Sequence, residues 1–116
     1  MTILGIETAT ERLGAAVITG DGRVYERFTD SRSAHCELLA GFITELAGEA
    51  GIPVTGIEGI AVSAGPGSFT GLRIGIATAM GLSYGLSIPA CGVGTLEAMA
   101  FHAGKSGRLV CPLIDA

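Results

Sequence analysis

Any chemistry in this 116-residue chain starts from the stretch AGPGSFTGLRIG, residues 64–75. Gly65, Gly67, Ser68, Gly71 and Arg73 stand together between a strand-like run and a helix-like one. Glycine-rich turns before helices offer unpaired backbone N–H groups, and a helix N-terminus favours negative charge. Arg73 adds a cation within reach of a phosphate. The stretch therefore has the make-up of a candidate nucleotide or phosphate loop. It misses both common fingerprints. A G-x-x-x-x-G-K-[ST] loop needs Lys after its last glycine, whereas Gly71 is followed by Leu72 and Arg73. A dinucleotide loop needs G-x-G-x-x-G in the first strand–helix unit and an acid about twenty positions on. Here the spacing is G-x-G-x-x-x-G, the loop is not in the first unit, and no acid follows before Glu97. A reading without a ligand also fits. Gly65 and Gly67 make a tight turn, Ser68 caps the helix, and Gly71 lets that helix lie close to a sheet.

The other chemistry-bearing residues are sparse. His35 and His102 are far apart, and H-E-x-x-H, G-x-S-x-G and Ser-His-Asp spacings are missing. His35 falls on an apolar helical arc with Leu39 four residues on, which reads as a packed or interface histidine. Cys36, Cys91 and Cys111 are odd in number and form no C-x-x-C, so no disulfide framework or zinc site follows. Each adjoins apolar residues and reads as a small buried hydrophobe in a reducing cytoplasm. The net charge of −4 argues against a free-standing nucleic-acid binder. Hydrophobic residues at 48% against 16% charged ones indicate a globular chain. With 19 glycines and 5% aromatics, its core must bring backbones close together. The N-terminus lacks the basic and apolar regions of a signal peptide. The longest apolar stretch, IGIATAMGLSYGLSIPA, is interrupted by Gly, Ser and Thr and reads as a buried helix rather than a membrane span.

The elements that must position these residues are legible. Residues 2–8 and 13–19 are apolar, β-branched runs, and 23–29 alternates between two faces; all three read as strands. The GDG turn at 20–22 predicts a hairpin, so the chain opens on an antiparallel meander. Leu38, Leu39, Phe42, Ile43 and Leu46 recur at helical spacing across an arc of about 140° within 31–51. Ser33 is the expected N-cap and Gly51 the C′ residue. Residues 56–65 read as a strand, 69–87 as a helix, 89–93 as a link or strand, 94–104 as a helix with Thr95 at its cap, and 108–116 as a strand. The order β-β-β-α-β-α-(β)-α-β predicts an α/β protein, a mixed sheet with packed helices. Two small-residue series stand out in the 69–87 helix: Gly71 and Gly75, and Ala77, Gly81 and Gly85. Each helical glycine costs roughly 1 kcal/mol relative to alanine, which close packing against the sheet or another helix would offset. An apolar strand closing the chain suggests the N-terminal part of a longer protein.

ILGIETAT (3–10), AGPGSFTGLRIG (64–75), SIPACGVGTLEAMA (87–100) and PLIDA (112–116) together resemble the bacterial TsaB (YeaZ) family. The resemblance runs over the whole chain. It implies the N-terminal half, residues 1–116, of an actin-like/Hsp70-like ATPase (ribonuclease H-like) fold, with a similar C-terminal domain absent here. It also implies a non-catalytic scaffold in the making of threonylcarbamoyladenosine next to the anticodon of certain tRNAs. The partners implied are the catalytic paralogue TsaD, the ATPase TsaE or a second copy, with tRNA met only through the complex. The paralogue's two metal-binding histidines fall here on Thr95 and Met99, so no metal site and no catalytic residue are expected. Glu7 and Thr8 occupy the region where actin-like ATPases hold the metal-nucleotide; no cofactor is expected to be bound tightly by this chain, and a partner interface is where the resemblance leaves room for ATP or ADP. Helix 34–50 (His35, Leu38, Leu39, Phe42, Ile43, Leu46) and helix 69–86 (Gly71, Gly75, Ala79) are expected to form half of a bundle with matching partner helices. The rival expectations are an ATPase and a glycoprotease-like metallopeptidase.

Overall fold

The computed structural model describes residues 1–30 and 36–103. Ser33, His35 and the strand expected at 108–116 lie outside the described residues. Strands β1 (Ile3–Glu7), β2 (Leu13–Ile18) and β3 (Val24–Thr29) form the antiparallel meander. Its hairpin turns at Gly22, whose φ of +87° suits glycine; the Thr19 N–H donates to the Arg23 carbonyl at 2.9 Å. There the Thr19 hydroxyl donates to the exposed Asp21, which holds that carboxyl below the usual range. Strands β4 (Gly59–Ser63) and β5 (Ala90–Val93) run parallel to β1 and to one another, giving the order β3-β2-β1-β4-β5.

Period-two alternation sorts the sheet into two unlike faces. Leu4, Ile6, Ala15, Val17, Ile60 and Val62 share one face by register and are buried. Helix α1 (Cys36–Glu49) adds Leu39, Ile43 and Leu46 to this core, and α2 (Phe69–Leu86) adds Ala79. The other face carries Gly5, Glu7, Gly14, Ala16, Ala61 and Ser63. Helix α3 (Thr95–Ala103) follows β5.

The helix ends follow capping chemistry. Gly51 takes φ +72°, its N–H donates to Gly48 O, and the Ile52 N–H donates to Ala47 O, so α1 closes in a Schellman motif. Arg27 of β3 pairs with Glu45 at 2.7 Å and with Glu49, one turn apart on α1. Ser68 caps α2, its hydroxyl accepting from the Gly71 N–H at 3.2 Å. Thr95 is not a cap as expected. It is the first helical residue of α3, with Gly94 O accepting from the Ala98 N–H, and its buried hydroxyl has no hydrogen-bond partner among the described residues. Cys91, expected to be buried, is exposed: by register it stands beside Ala61, on the sheet face away from α1 and α2, in the outermost strand of the described sheet.

Candidate functional site

The loop from Ala64 to Phe69 is clamped from three directions. The Ala64 N–H donates to Val93 O at 2.8 Å, and the Thr95 N–H donates to Gly65 O at 3.0 Å, tying the loop to β5 and α3. Gly65 has φ +110° and precedes a cis bond to Pro66, a conformation that a side chain would strain. The Ser68 N–H donates to Ala9 O at 2.7 Å, docking the loop on the turn between β1 and β2.

Gly67, Gly71 and Gly75 complete the fit. A Cβ on Gly67 would stand 2.7 Å from the Ala9 Cβ; one on Gly71 would overlap the Thr8 carbonyl oxygen, and one on Gly75 the Thr8 hydroxyl. Spaced four apart, the three glycines make a trough that receives Thr8 and Ala9. Thr8 is 2% exposed and its hydroxyl has no hydrogen-bond partner among the described residues. Glu7 is committed as well, one oxygen accepting the Ala9 N–H at 2.7 Å and the other the Ser63 hydroxyl.

The structure thus brings Glu7, Thr8, Gly65, Gly67 and Ser68 into one junction and leaves Arg73 outside it. Arg73 is exposed and lies over the Phe69 ring, 5.4 Å from its centroid. Three of the donors near the helix start are spent internally: Ser68 N–H on Ala9 O, Gly71 N–H on the Ser68 hydroxyl, Leu72 N–H on Ser68 O. These contacts bind the loop to the chain's own turn. Among the described residues no three His, Cys, Asp or Glu side chains group as metal ligands would. No described helix is long and apolar enough to cross a membrane.

The expected partner helices need correction. Leu39, Ile43 and Leu46 are buried against the sheet, because α1 has one apolar stripe and the sheet takes it. Gly71, Gly75 and Ala79 also face inward, toward Thr8 and the core. Of the expected α1 residues, Leu38 is exposed and Phe42 only partly buried.

What the two helices turn outward is different. Phe69, Met80 and Tyr84 are 74%, 65% and 92% exposed. Beside them Ala77, Gly81 and Gly85 line the open side of α2. A Cβ on Gly41 or Gly48 of α1, or on Gly81 or Gly85 of α2, would meet nothing within 4 Å. Nothing inside the described chain requires those four glycines. Sequence reasoning missed Phe69, Met80 and Tyr84. The signal was their recurrence with Arg73 and Ala77 at helical spacing, hidden because α2 is apolar on nearly every side.

Comparison with known proteins gives a consistent picture. Residues 29–116 match the family described as TsaD, tRNA N6-adenosine threonylcarbamoyltransferase. The tRNA threonylcarbamoyladenosine biosynthesis protein TsaB of Escherichia coli strain K12 is 40% identical, over all of this chain and 51% of its own length. Its namesake in Bacillus subtilis strain 168 is 33% identical with the same coverage. The solved structure of YeaZ from Pseudomonas aeruginosa superposes with a TM-score of 0.84 at 31% identity, covering 91% of this chain and 49% of that one. The chain spans about half the length of the curated relatives it matches.

Proposed function

The chain belongs to the bacterial TsaB (YeaZ) family, with an actin-like, ribonuclease H-like fold, and from that premise we propose that it serves tRNA threonylcarbamoyladenosine biosynthesis as a non-catalytic cytoplasmic subunit. Its task is to dock a TsaD-like catalytic subunit, in a system that also includes a TsaE-like ATPase, with tRNA reached only through the complex. The observation that carries this reading is the outer face of α1 and α2. Large apolar side chains stand in solvent there beside helical glycines that no contact among the described residues explains. Exposed apolar patches of this kind mark interaction sites. Small residues let a partner's helices approach closely enough to bury Phe69, Met80 and Tyr84 as anchors. The same face also suits a second copy, which competes for it. ATP or ADP is assigned to the interface with the partner, since both Glu7 oxygens and the Ser68, Gly71 and Leu72 N–H groups are committed within the chain.

The test is co-purification with a TsaD-like subunit, followed by tRNA modification with and without this chain. Tyr84→Glu and Met80→Glu each weaken the association by at least about 30-fold, the scale of an anchor residue, and leave the thermal transition of the free chain in place. Modification falls in step with the lost association, and ATP binds the pair but not the chain alone. Folded variants that bind like the parent would refute the docking face. Full modification without the chain would refute the role.

A further inference from the structure

We propose that Arg73 selects the occupant of the outer face of α1 and α2: it requires a carboxylate on the helix that docks there and so disfavours a second copy of this chain. The inference rests on the docking reading above. At about 100° per residue, Phe69, Met80, Arg73, Tyr84 and Ala77 fall within an arc of roughly 80° on α2, and all five are exposed. Arg73 stands inside that stripe, with Phe69 one turn before it and Ala77 one turn after. It is the one charged residue among the 18 of α2. A partner that buries both Phe69 and Met80 therefore covers Arg73 as well.

The charge of Arg73 is unmatched at home. Among the described residues no carboxylate pairs with it, whereas Arg12, Arg23 and Arg27 each have one. Its guanidinium instead lies over the Phe69 ring, 5.4 Å from the centroid. A guanidinium stacked on a ring keeps its N–H fork at the edge, where it matches a carboxylate through two parallel hydrogen bonds. Covering the group without such a partner strips its water and leaves its donors unsatisfied, a cost that apolar contacts nearby do not remove. A docking helix with Asp or Glu opposite Arg73 removes it.

A second copy does not meet that requirement. A two-fold pair sets the same patch against itself. Helix α2 brings no acid to such a pair. On α1, Glu45 and Glu49 are already taken by Arg27 of β3. Self-pairing through this face thus covers two guanidinium groups and supplies neither with a free carboxylate among the described side chains. Specificity is a difference between two affinities, and one residue here acts on both in opposite directions.

The experiment measures self-association and binding to a TsaD-like subunit by analytical ultracentrifugation, first without nucleotide and then with ATP. Arg73→Met removes the charge and keeps the bulk. Without nucleotide it weakens partner binding at least about 30-fold, as truncation of a covered charge pair does, and strengthens self-association at least about 3-fold. The thermal transition of the free chain stays in place. Arg73→Glu also loses the partner, and Lys in place of one Asp or Glu on the partner's docking helices restores at least about 10-fold of the affinity. A folded Arg73→Met variant that binds the partner like the parent overturns the proposal; Tyr84→Glu, run beside it, still abolishes binding if the docking face itself is right. A loss seen only with ATP present also overturns it, because a phosphate is then the counter-charge. So does a parallel fall in both associations, which makes Arg73 a packing residue without selectivity, or the failure of every Lys replacement to restore Arg73→Glu.

Discussion

Thr8 and Ala9 decide which glycines of α2 matter to the fold. Gly71 faces a backbone oxygen of Thr8, which a side chain cannot displace without moving β1. Gly81, ten residues along the same helix, faces nothing within 4 Å. One substitution made at both positions therefore has opposite signs. Gly71→Ala destabilises the chain by about 2–3 kcal/mol, the usual cost of overpacking. Gly81→Ala stabilises it by about 1 kcal/mol through helix propensity. Thermal or urea unfolding of the two variants measures both; two changes of like sign would mean that α2 is rotated from its described orientation. By spacing alone the two series look the same, and only Thr8 and Ala9, some sixty residues away in the chain, tell them apart. That is why the sequence left open which series met the sheet.

Among the elements, α1 was the more legible helix and α2 the less. Polar and small residues break the apolar stripe of α1, so its arc points to one inner face, and Gly51 marks its end through a requirement on φ. The sheet claims the stripe, which moves Leu39, Ile43 and Leu46 from a partner surface to the core. Leu38 and Leu39 are adjacent in sequence and fall on opposite sides of this boundary. Leu39→Glu places a charge in the core and costs at least about 3 kcal/mol, the scale of losing a core leucine, before the unpaired charge is added. Leu38→Glu changes stability by no more than about 0.5 kcal/mol, as exposed substitutions do. Circular dichroism with urea titration separates them, and a well-folded Leu39→Glu variant would contradict the placement of α1. In α2, apolar residues on nearly every side leave no stripe to read, so Phe69, Met80 and Tyr84 pass for core until the sheet is seen to be satisfied by Ala79 and the glycine trough.

At the scale of the whole molecule, the three opening strands and the alternation after them gave the mixed sheet directly. Periodicity does not state that β4 leaves β3 to lie beside β1, yet that placement makes β1 the central strand and brings Glu7 within reach of Ser63. That contact ties β1 to β4 inside the sheet, whereas Tyr84 stands out in solvent on α2. Changes at separate sites with no shared neighbour add within roughly 0.5 kcal/mol. Ser63→Ala then costs about 1 kcal/mol of stability, the scale of one lost hydrogen bond, and leaves partner affinity unchanged, whereas Tyr84→Glu removes partner association and leaves stability unchanged. The double variant carries both defects in full. A coupling above about 1 kcal/mol between the two changes, read from Tm and from partner affinity in a four-protein cycle, would show that the β1–β4 contact and the face of α2 act as one unit.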